Sequence, residues 1–180
     1  MRRVAIQGVA GSYSEEAVRQ LFGGDASILE CLDFEETFDA VRVGDADNAV
    51  VPVINKIIGE IRRPVELLGA GSFKILDKLP LRVQHVLAGT PDGNFEELVS
   101  VRSHVEALKQ CGRFLASHPQ LTQVIGADTA SSIKRIVEGS NPTHAAIGSR
   151  RAAELYGAKI LCEDIADDID NWTTFYVIGN

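Results

Sequence analysis

A short apolar run passes into a glycine turn and a helix start near the beginning of the chain, at Val4-Ala5-Ile6-Gln7-Gly8-Val9-Ala10-Gly11-Ser12-Tyr13-Ser14-Glu15. Residues 4–7 have the composition of a buried strand, and Ser12 with Glu15 has the spacing of a capping box. A strand that turns directly into a capped helix is typical of α/β proteins. The opening of the chain therefore predicts an α/β fold.

The same alternation of apolar runs and capped periodic segments continues to the end of the chain and predicts mostly parallel sheets. Further strands are predicted at 28–31, 49–53, 73–76, 82–88, 124–125, 145–147, 159–162 and 173–178. Further helices are predicted after Asp33 and Ser103 and at 64–68, 129–137 and 151–156. No linker rich in Pro, Gly or Ser separates them. We therefore expect one domain over 1–180 with a central cleft between two α/β lobes, lobe 1 at about 1–78 and 163–180 and lobe 2 at about 79–162.

Composition excludes several classes of protein. The chain has 180 residues, 45% hydrophobic residues and a formal charge of −7, which argues against disorder and against nucleic-acid binding. No apolar run is long enough for a membrane span. Its three cysteines form no CxxC pair and no signal peptide is apparent, so we expect a cytoplasmic protein.

Metal and nucleotide cofactors are not indicated by the sequence. The four histidines have no zinc-binding spacing, and the acidic residues Asp164, Asp167, Asp168 and Asp170 lack the spacing of a calcium loop. They are either a hard-cation site or, as we favour, a solvated loop. The glycine turn lacks the third glycine and the downstream acid of a dinucleotide fingerprint. We expect neither a metal nor a cofactor.

Two helix starts are candidate anion sites. The turn at residues 8–12 can present backbone N–H groups and the Ser12 hydroxyl, and Asp128-Thr129-Ala130-Ser131-Ser132 is a second helix start rich in hydroxyls. Each is equally well explained as a plain structural cap. Lys56 follows a predicted strand and is either a solvated surface charge or a ligand-binding cation.

Taken together, the segments resemble the prephenate dehydratases and arogenate dehydratases. The turn follows that family's Gly-x-x-Gly-(Ser/Thr/Ala)-(Phe/Tyr)-(Ser/Thr) pattern, and two later segments are similar to its Val-Pro-Ile-Glu-Asn-Ser and Asn-x-Thr-Arg-Phe motifs. The matching segments are 4–15, Cys31 with Phe34 and Phe38, Val51-Pro52-Val53-Ile54-Asn55-Lys56, 103–111, Asp128-Thr129-Ala130, 145–157 and Asn171-Trp172-Thr173-Thr174-Phe175. The resemblance covers nearly the whole chain.

The resemblance implies a fold like that of type II periplasmic binding proteins and a metal-free lyase that converts prephenate to phenylpyruvate in phenylalanine biosynthesis. It implies that Thr173 is the catalytic residue, which assists the leaving hydroxyl. We expect the substrate-binding residues to be Gly11, Ser12, Tyr13, Asn55, Lys56, Thr129, Ala130, Thr174 and Phe175, with Lys56 as a cation that replaces the motif Arg. It further implies a homodimer. Because the chain stops at Asn180, we expect no C-terminal regulatory domain.

Three motif positions differ from the family pattern. The motif Glu is Ile54, the motif Ser is Lys56 and the motif Arg is Thr174. Threonine cannot reproduce the bidentate grip of arginine on a carboxylate. Three functions therefore stay open: a working dehydratase, a decarboxylase that keeps the ring hydroxyl and yields a dihydro-hydroxyphenylpyruvate, and a catalytically inactive protein that binds a small acid.

Overall fold

A computed structural model describes all residues, 1–180, and the chain divides into two units. Unit 1 comprises Met1–Val83 and Asn171–Asn180, and unit 2 comprises Gln84–Asp170. Each unit contains its own β-sheet, and helices pack on both sheets. The α/β fold class is confirmed.

Unit 1 contains a sheet with the strand order β2-β1-β3-β11-β5, and β4 pairs with β3. Its strands are β1 (Arg2–Gln7), β2 (Ala26–Cys31), β3 (Asn48–Asn55), β4 (Gly59–Glu60), β5 (Lys74–Arg82) and β11 (Trp172–Gly179). Its helices are α1 (Tyr13–Phe22), α2 (Phe34–Val43) and α3 (Arg62–Ala70). Val4 and Ile6 in β1 pack in the same core cluster as Ala17 and Val18 of α1, and Ala5 packs in a second cluster that includes Phe38 of α2. Strand β1 is therefore apolar throughout its centre because it is covered on both faces.

Strand β11 returns from the end of the chain to the middle of this sheet. It runs antiparallel to both β3 and β5. Its pairing with β3 skips Val53, because Thr174 pairs with Ile54 and Phe175 with Pro52. This β-bulge accommodates a proline inside an internal strand, where proline is otherwise disfavoured.

Unit 2 contains a sheet with the strand order β10-β6-β9-β7-β8. Its strands are β6 (Val86–Gly89), β7 (Ser100–Ser103), β8 (Thr122–Ile125), β9 (His144–Gly148) and β10 (Lys159–Cys162). Its helices are α4 (Val105–Gln110), α5 (Gly112–Ala116), α6 (Thr129–Gly139) and α7 (Arg150–Tyr156). Strands β7, β8 and β9 are parallel, and β6 and β10 pair antiparallel.

Several sequence predictions of elements were wrong. The sheets are mixed rather than mostly parallel, since both contain antiparallel pairs. The strands predicted at 73–76 and 82–88 are instead the long β5 and the separate β6. The helix expected to start at Ser103 is capped by His104, whose side chain accepts a hydrogen bond from the Glu106 amide, and it is interrupted at Cys111. Ser103 instead ends β7 and donates a hydrogen bond to the Ile147 carbonyl.

Candidate active site

Asn55 and Thr173 lie opposite each other where β3 ends and β11 begins. Both side chains are buried, with 5% and 6% of their surface exposed. Asn55 Nδ2 donates to Thr173 Oγ1 at 2.9 Å and to Asn171 Oδ1 at 2.8 Å. Two of the residues that match the motifs are therefore joined directly, although 118 positions separate them.

Every hydrogen-bonding position of the Asn55 amide is used within the chain. Its Oδ1 accepts from the backbone N–H groups of Ile57 at 2.9 Å and Ile58 at 3.2 Å, and its Nδ2 donates twice. An amide has two donor hydrogens and an acceptor oxygen with two lone pairs, so it is fully satisfied here. Asn55 was predicted to bind substrate, but its contacts are those of a residue that holds other groups in place.

Thr173 Oγ1 accepts the hydrogen bond from Asn55 and donates none. A hydroxyl has one hydrogen to donate, so this proton is available to a ligand. The accepted hydrogen bond also polarises the hydroxyl, because chains of hydrogen bonds strengthen one another at low dielectric. Thr173 is therefore a hydrogen-bond donor held in place by a buried amide.

The next register pair along the two strands is Ile54 with Thr174. These are the positions at which the family pattern has Glu and Arg. Residues that pair directly across two strands are close enough for opposite charges to attract, so a Glu and an Arg placed here would face each other. Losing both removes one negative and one positive charge, and Lys56 at the motif Ser position adds one positive charge. Two of the three departures therefore lie opposite each other on β3 and β11.

The other predicted residues of unit 1 have different surroundings. Lys56 is exposed, and its backbone N–H donates to the Trp172 carbonyl at 2.8 Å. Tyr13 is half-buried and packs beside the core cluster that contains Phe175. Phe175 is 2% exposed and packs within that cluster, and its role in substrate binding stays a prediction.

The turn at residues 8–12 already holds two carboxylates of the chain. The Ala10 amide donates to Glu30 at 2.5 Å, and the Gly11 amide donates to the buried Glu15 at 2.6 Å. Ser12 Oγ caps α1 by accepting from the Glu15 amide at 3.3 Å. The amides of Ala10 and Gly11 therefore already have acidic partners, which favours the interpretation of this turn as a structural cap.

Thr129 and Ala130 begin α6 in unit 2. Asp128 caps this helix by accepting from the Ser131 amide at 2.6 Å. The first amides of a helix have no carbonyl behind them, and they favour negatively charged groups. Thr129 is half-buried and Ala130 is fully buried, so a ligand here meets mainly their backbone N–H groups.

The titratable groups elsewhere have structural surroundings. No group of three or more His, Cys, Asp or Glu side chains is arranged to hold a metal ion. Burial lowers the pKa of His85, although the hydrogen bond with Gln110 at 2.8 Å opposes that shift. Burial, assisted by Asp167, raises the pKa of the Cys111 thiol to about 12. No helix is both long and apolar enough to cross a membrane.

Sequence reasoning missed the contribution of Asn171. It belongs to a motif but was assigned no role, and in the structure it is fully buried and its side chain accepts a hydrogen bond from Asn55. The motif spacing of two residues between Asn171 and Thr173 is the one signal that points to it, because alternate strand residues share a face.

Comparison with known families decides what this chain is related to. Residues 4–180 match the family described as prephenate dehydratase. The chain belongs to the prephenate dehydratase family. A curated relative, the arogenate dehydratase/prephenate dehydratase 2 of Arabidopsis thaliana, is 36% identical over 98% of this chain and 46% of its own length. The chain thus spans about half the length of the curated relatives it matches.

Solved structures agree with the family assignment. A prephenate dehydratase from Arthrobacter aurescens in complex with L-Phe has a TM-score of 0.91 and 27% identity, covering 99% of this chain and 60% of that chain. A protein described as GqqA, a novel type of quorum quenching acylase, has a TM-score of 0.88 and 30% identity, covering 99% of this chain and 64% of that chain. A periplasmic substrate-binding protein from Coxiella burnetii, at 11% identity and a TM-score of 0.53, covers 100% of this chain and 85% of that chain and shares the fold alone.

Proposed function

We propose that this member of the prephenate dehydratase family catalyses the decarboxylating dehydration of prephenate to phenylpyruvate, as in phenylalanine biosynthesis. The observation that carries the proposal is the Thr173 hydroxyl, which accepts from Asn55 and has its own proton to donate. The family match over residues 4–180 supports the assignment of this chemistry. Family membership alone does not fix a reaction, and a structural relative is described as an acylase.

The chemistry requires two bonds to break in the ring. The bond to the ring carboxylate breaks and releases carbon dioxide, and its electron pair enters the ring. The bond to the ring hydroxyl breaks on the opposite side of the ring, and that oxygen leaves as water after taking up one proton. Thr173 passes its hydroxyl proton to the leaving oxygen, and a proton taken up from solvent returns to Thr173 Oγ1, so the reaction consumes one proton and yields phenylpyruvate, carbon dioxide and water. Aromatisation supplies the thermodynamic drive.

The carboxylates of the substrate need positive or N–H partners. In unit 1 we assign this role to the Lys56 ammonium group and the hydroxyl groups of Ser12, Tyr13 and Thr174. The first-turn amides at Thr129 and Ala130 in unit 2 are a separate candidate anion site. Replacing Lys56 by Ala is expected to raise the KM for prephenate by about threefold or more, since an exposed ion pair contributes up to about 1 kcal/mol. Lys134→Ala on α6 is the matched control, because Lys134 pairs with Glu138 within its own helix. An unchanged KM in Lys56→Ala removes Lys56 from the site.

The location and assembly follow from other features. The three cysteines are all free, which supports a reducing compartment such as the cytoplasm. We propose a homodimer because β8 is an edge strand without lysine or proline, and Ile125 on it is 68% exposed. Unprotected strand edges are sites of pairing between chains.

Product analysis tests the proposed function. The protein is incubated near neutral pH with prephenate and, separately, with arogenate, and a blank without enzyme corrects for spontaneous aromatisation. Formation of phenylpyruvate from prephenate supports the proposal. If only arogenate is converted, the substrate is arogenate rather than prephenate. Loss of prephenate without an aromatic product identifies a decarboxylase that retains the hydroxyl, and saturable binding without turnover identifies a binding protein, so either result overturns the proposal.

A further inference from the structure

We infer that Asn171 is a positioning residue that aims the Asn55 amide at the Thr173 hydroxyl. The family motif gives no role for Asn171, and Asn171 does not itself contact the Thr173 hydroxyl. The inference deepens the proposed function and rests on it. Three observations carry it: the anchoring of Asn171, the hydrogen bonds of the Asn55 amide and the hydrogen bond that Thr173 Oγ1 accepts.

Asn171 is anchored through both its main chain and its side chain. It is 0% exposed, and its carbonyl accepts from the Val83 amide at 2.8 Å. That bond ties the residue before β11 to the residue after β5. Its Oδ1 accepts from Asn55 Nδ2 at 2.8 Å. An acceptor held this firmly defines a direction for the donor that faces it.

The Asn55 amide transmits this direction to Thr173. The amides of Ile57 and Ile58 can only donate, so Oδ1 rather than Nδ2 of Asn55 faces them. The two hydrogens on Nδ2 lie in one plane at a fixed angle. When Asn171 holds one of them, the other is directed at Thr173 Oγ1, which it meets at 2.9 Å.

The arrangement also sets where the Thr173 proton points. Because Oγ1 receives a hydrogen from Asn55, the hydroxyl's own hydrogen is directed away from Asn55. That hydrogen is the one the proposed reaction gives to the leaving oxygen. Without Asn171, the Asn55 amide tilts, the hydroxyl rotates, and fewer encounters have the reactive orientation.

A double-mutant cycle on turnover tests this role. Asn171→Ala, Asn55→Ala and the double variant are assayed with prephenate, and kcat and KM are measured separately. We expect Asn171→Ala to lower kcat about 100-fold, because misplacement by about 1 Å costs that much, while KM changes less than about threefold. On the Asn55→Ala background we expect the same change to alter kcat less than about twofold, because both residues act through one amide.

Controls separate positioning from folding. Asn48→Ala is the matched variant, since Asn48 is a buried asparagine of β3 whose Nδ2 donates to the Ile178 carbonyl outside the proposed site. It is expected to keep kcat. Thermal unfolding shows which variants are folded, and Asn171→Ser replaces Asn171→Ala if the latter is not, because a serine hydroxyl is too short to reach Asn55. An unchanged kcat in a folded Asn171 variant, or effects that multiply in the double variant, overturns the inference.

A readout without turnover keeps the inference distinct from the proposed function. The side-chain ¹⁵N resonance of Asn55 is recorded without substrate in the wild-type protein and in the Asn171 variant. We expect both of its attached hydrogens to shift. If the wild-type protein forms no phenylpyruvate but these resonances shift, the proposed function fails and the hydrogen-bond arrangement stands. If they do not shift, the inference fails whatever the activity.

Discussion

Two neighbouring register pairs join β3 to β11, and they differ in what holds them together. Asn55 with Thr173 is buried and hydrogen-bonded, and it matches the family motifs at both positions. Ile54 with Thr174 departs at both positions, and Ile54 is 40% exposed. A buried polar pair leaves an unsatisfied group behind when one member changes, whereas a partly exposed charged pair can be exchanged for a neutral one as a unit. The pair of Asn55 and Thr173 is therefore a better guide to the reaction than the pair of Ile54 and Thr174.

The largest expected difference between the two pairs is in stability. Asn55→Ala leaves Asn171 Oδ1 and the Ile57 and Ile58 amides without their partner, so we expect the free energy of unfolding to fall by about 2–3 kcal/mol. Ile54→Ala removes a partly exposed side chain and is expected to cost about 1 kcal/mol or less. Urea unfolding of both variants measures the difference. Equal losses would show that the Asn55 hydrogen bonds add nothing beyond ordinary packing.

A buried polar pair in unit 2 differs from the Asn55 pair because one of its members can titrate, so its stability depends on pH. His85 is hydrogen-bonded to Gln110 and its pKa is lowered, chiefly by burial, whereas the Asn55 amide cannot titrate. The unfolded chain, with an ordinary histidine pKa of about 6.5, therefore binds more protons than the folded chain below that pH. The stabilisation that comes from keeping His85 neutral is therefore fully present above about pH 6.5, and the free energy of unfolding falls as the pH decreases below that value.

Replacing His85 by Gln is expected to make that fall shallower. Thermal midpoints at pH 7.5 and pH 5.5 are compared for the wild-type protein, His85→Gln and the exposed control His144→Gln. The control is expected to follow the wild type, because His144 lies on the surface and its replacement leaves the burial of His85 unchanged. If the thermal midpoint changes equally with pH in all three proteins, the burial of His85 does not make stability depend on pH.

The smallest expected effect concerns the altered pair. Restoring the family residues as Ile54→Glu with Thr174→Arg is expected to give a favourable coupling of about 0.2–1 kcal/mol between the two changes. Because that coupling is electrostatic at a partly exposed position, 1 M NaCl is expected to reduce it. Unfolding of both single variants and the double variant gives the coupling directly. Strict additivity of the two changes would contradict their description as cross-strand neighbours.

Local patterns predicted those elements that carry a strong signal of their own. The helices α1, α2 and α6 were predicted from the residues at their starts. In the structure the N-cap side chain of each helix accepts a hydrogen bond from an amide in its first turn. Strand β7 was missed because Ser100-Val101-Arg102-Ser103 has a single apolar residue and is held by strands on both sides. Strand β5 was split because its charged and apolar residues do not alternate along an edge strand.

The site was harder to predict than the elements. Thr173 was named through the family motif, but its contact with Asn55 depends on the register of two distant strands. The capping box predicted the amide of Glu15 as a donor to Ser12 and a carboxylate that turns back to the helix start, but that carboxylate binds the Gly11 amide. Long-range hydrogen bonds such as that between Asn55 and Thr173 follow from the sheet order, which the sequence pattern does not encode.

The most direct test of the account is the turnover number of Thr173 variants with prephenate. Thr173→Val keeps the shape and removes the hydroxyl, Thr173→Ser keeps the hydroxyl, and Thr122→Val on β8 is a control outside the proposed site. We predict that kcat falls about 100- to 10,000-fold in Thr173→Val, while the other two variants stay within about tenfold of the wild type. A folded Thr173→Val protein that forms phenylpyruvate at the wild-type rate would contradict the assignment of Thr173 as the donor to the leaving oxygen.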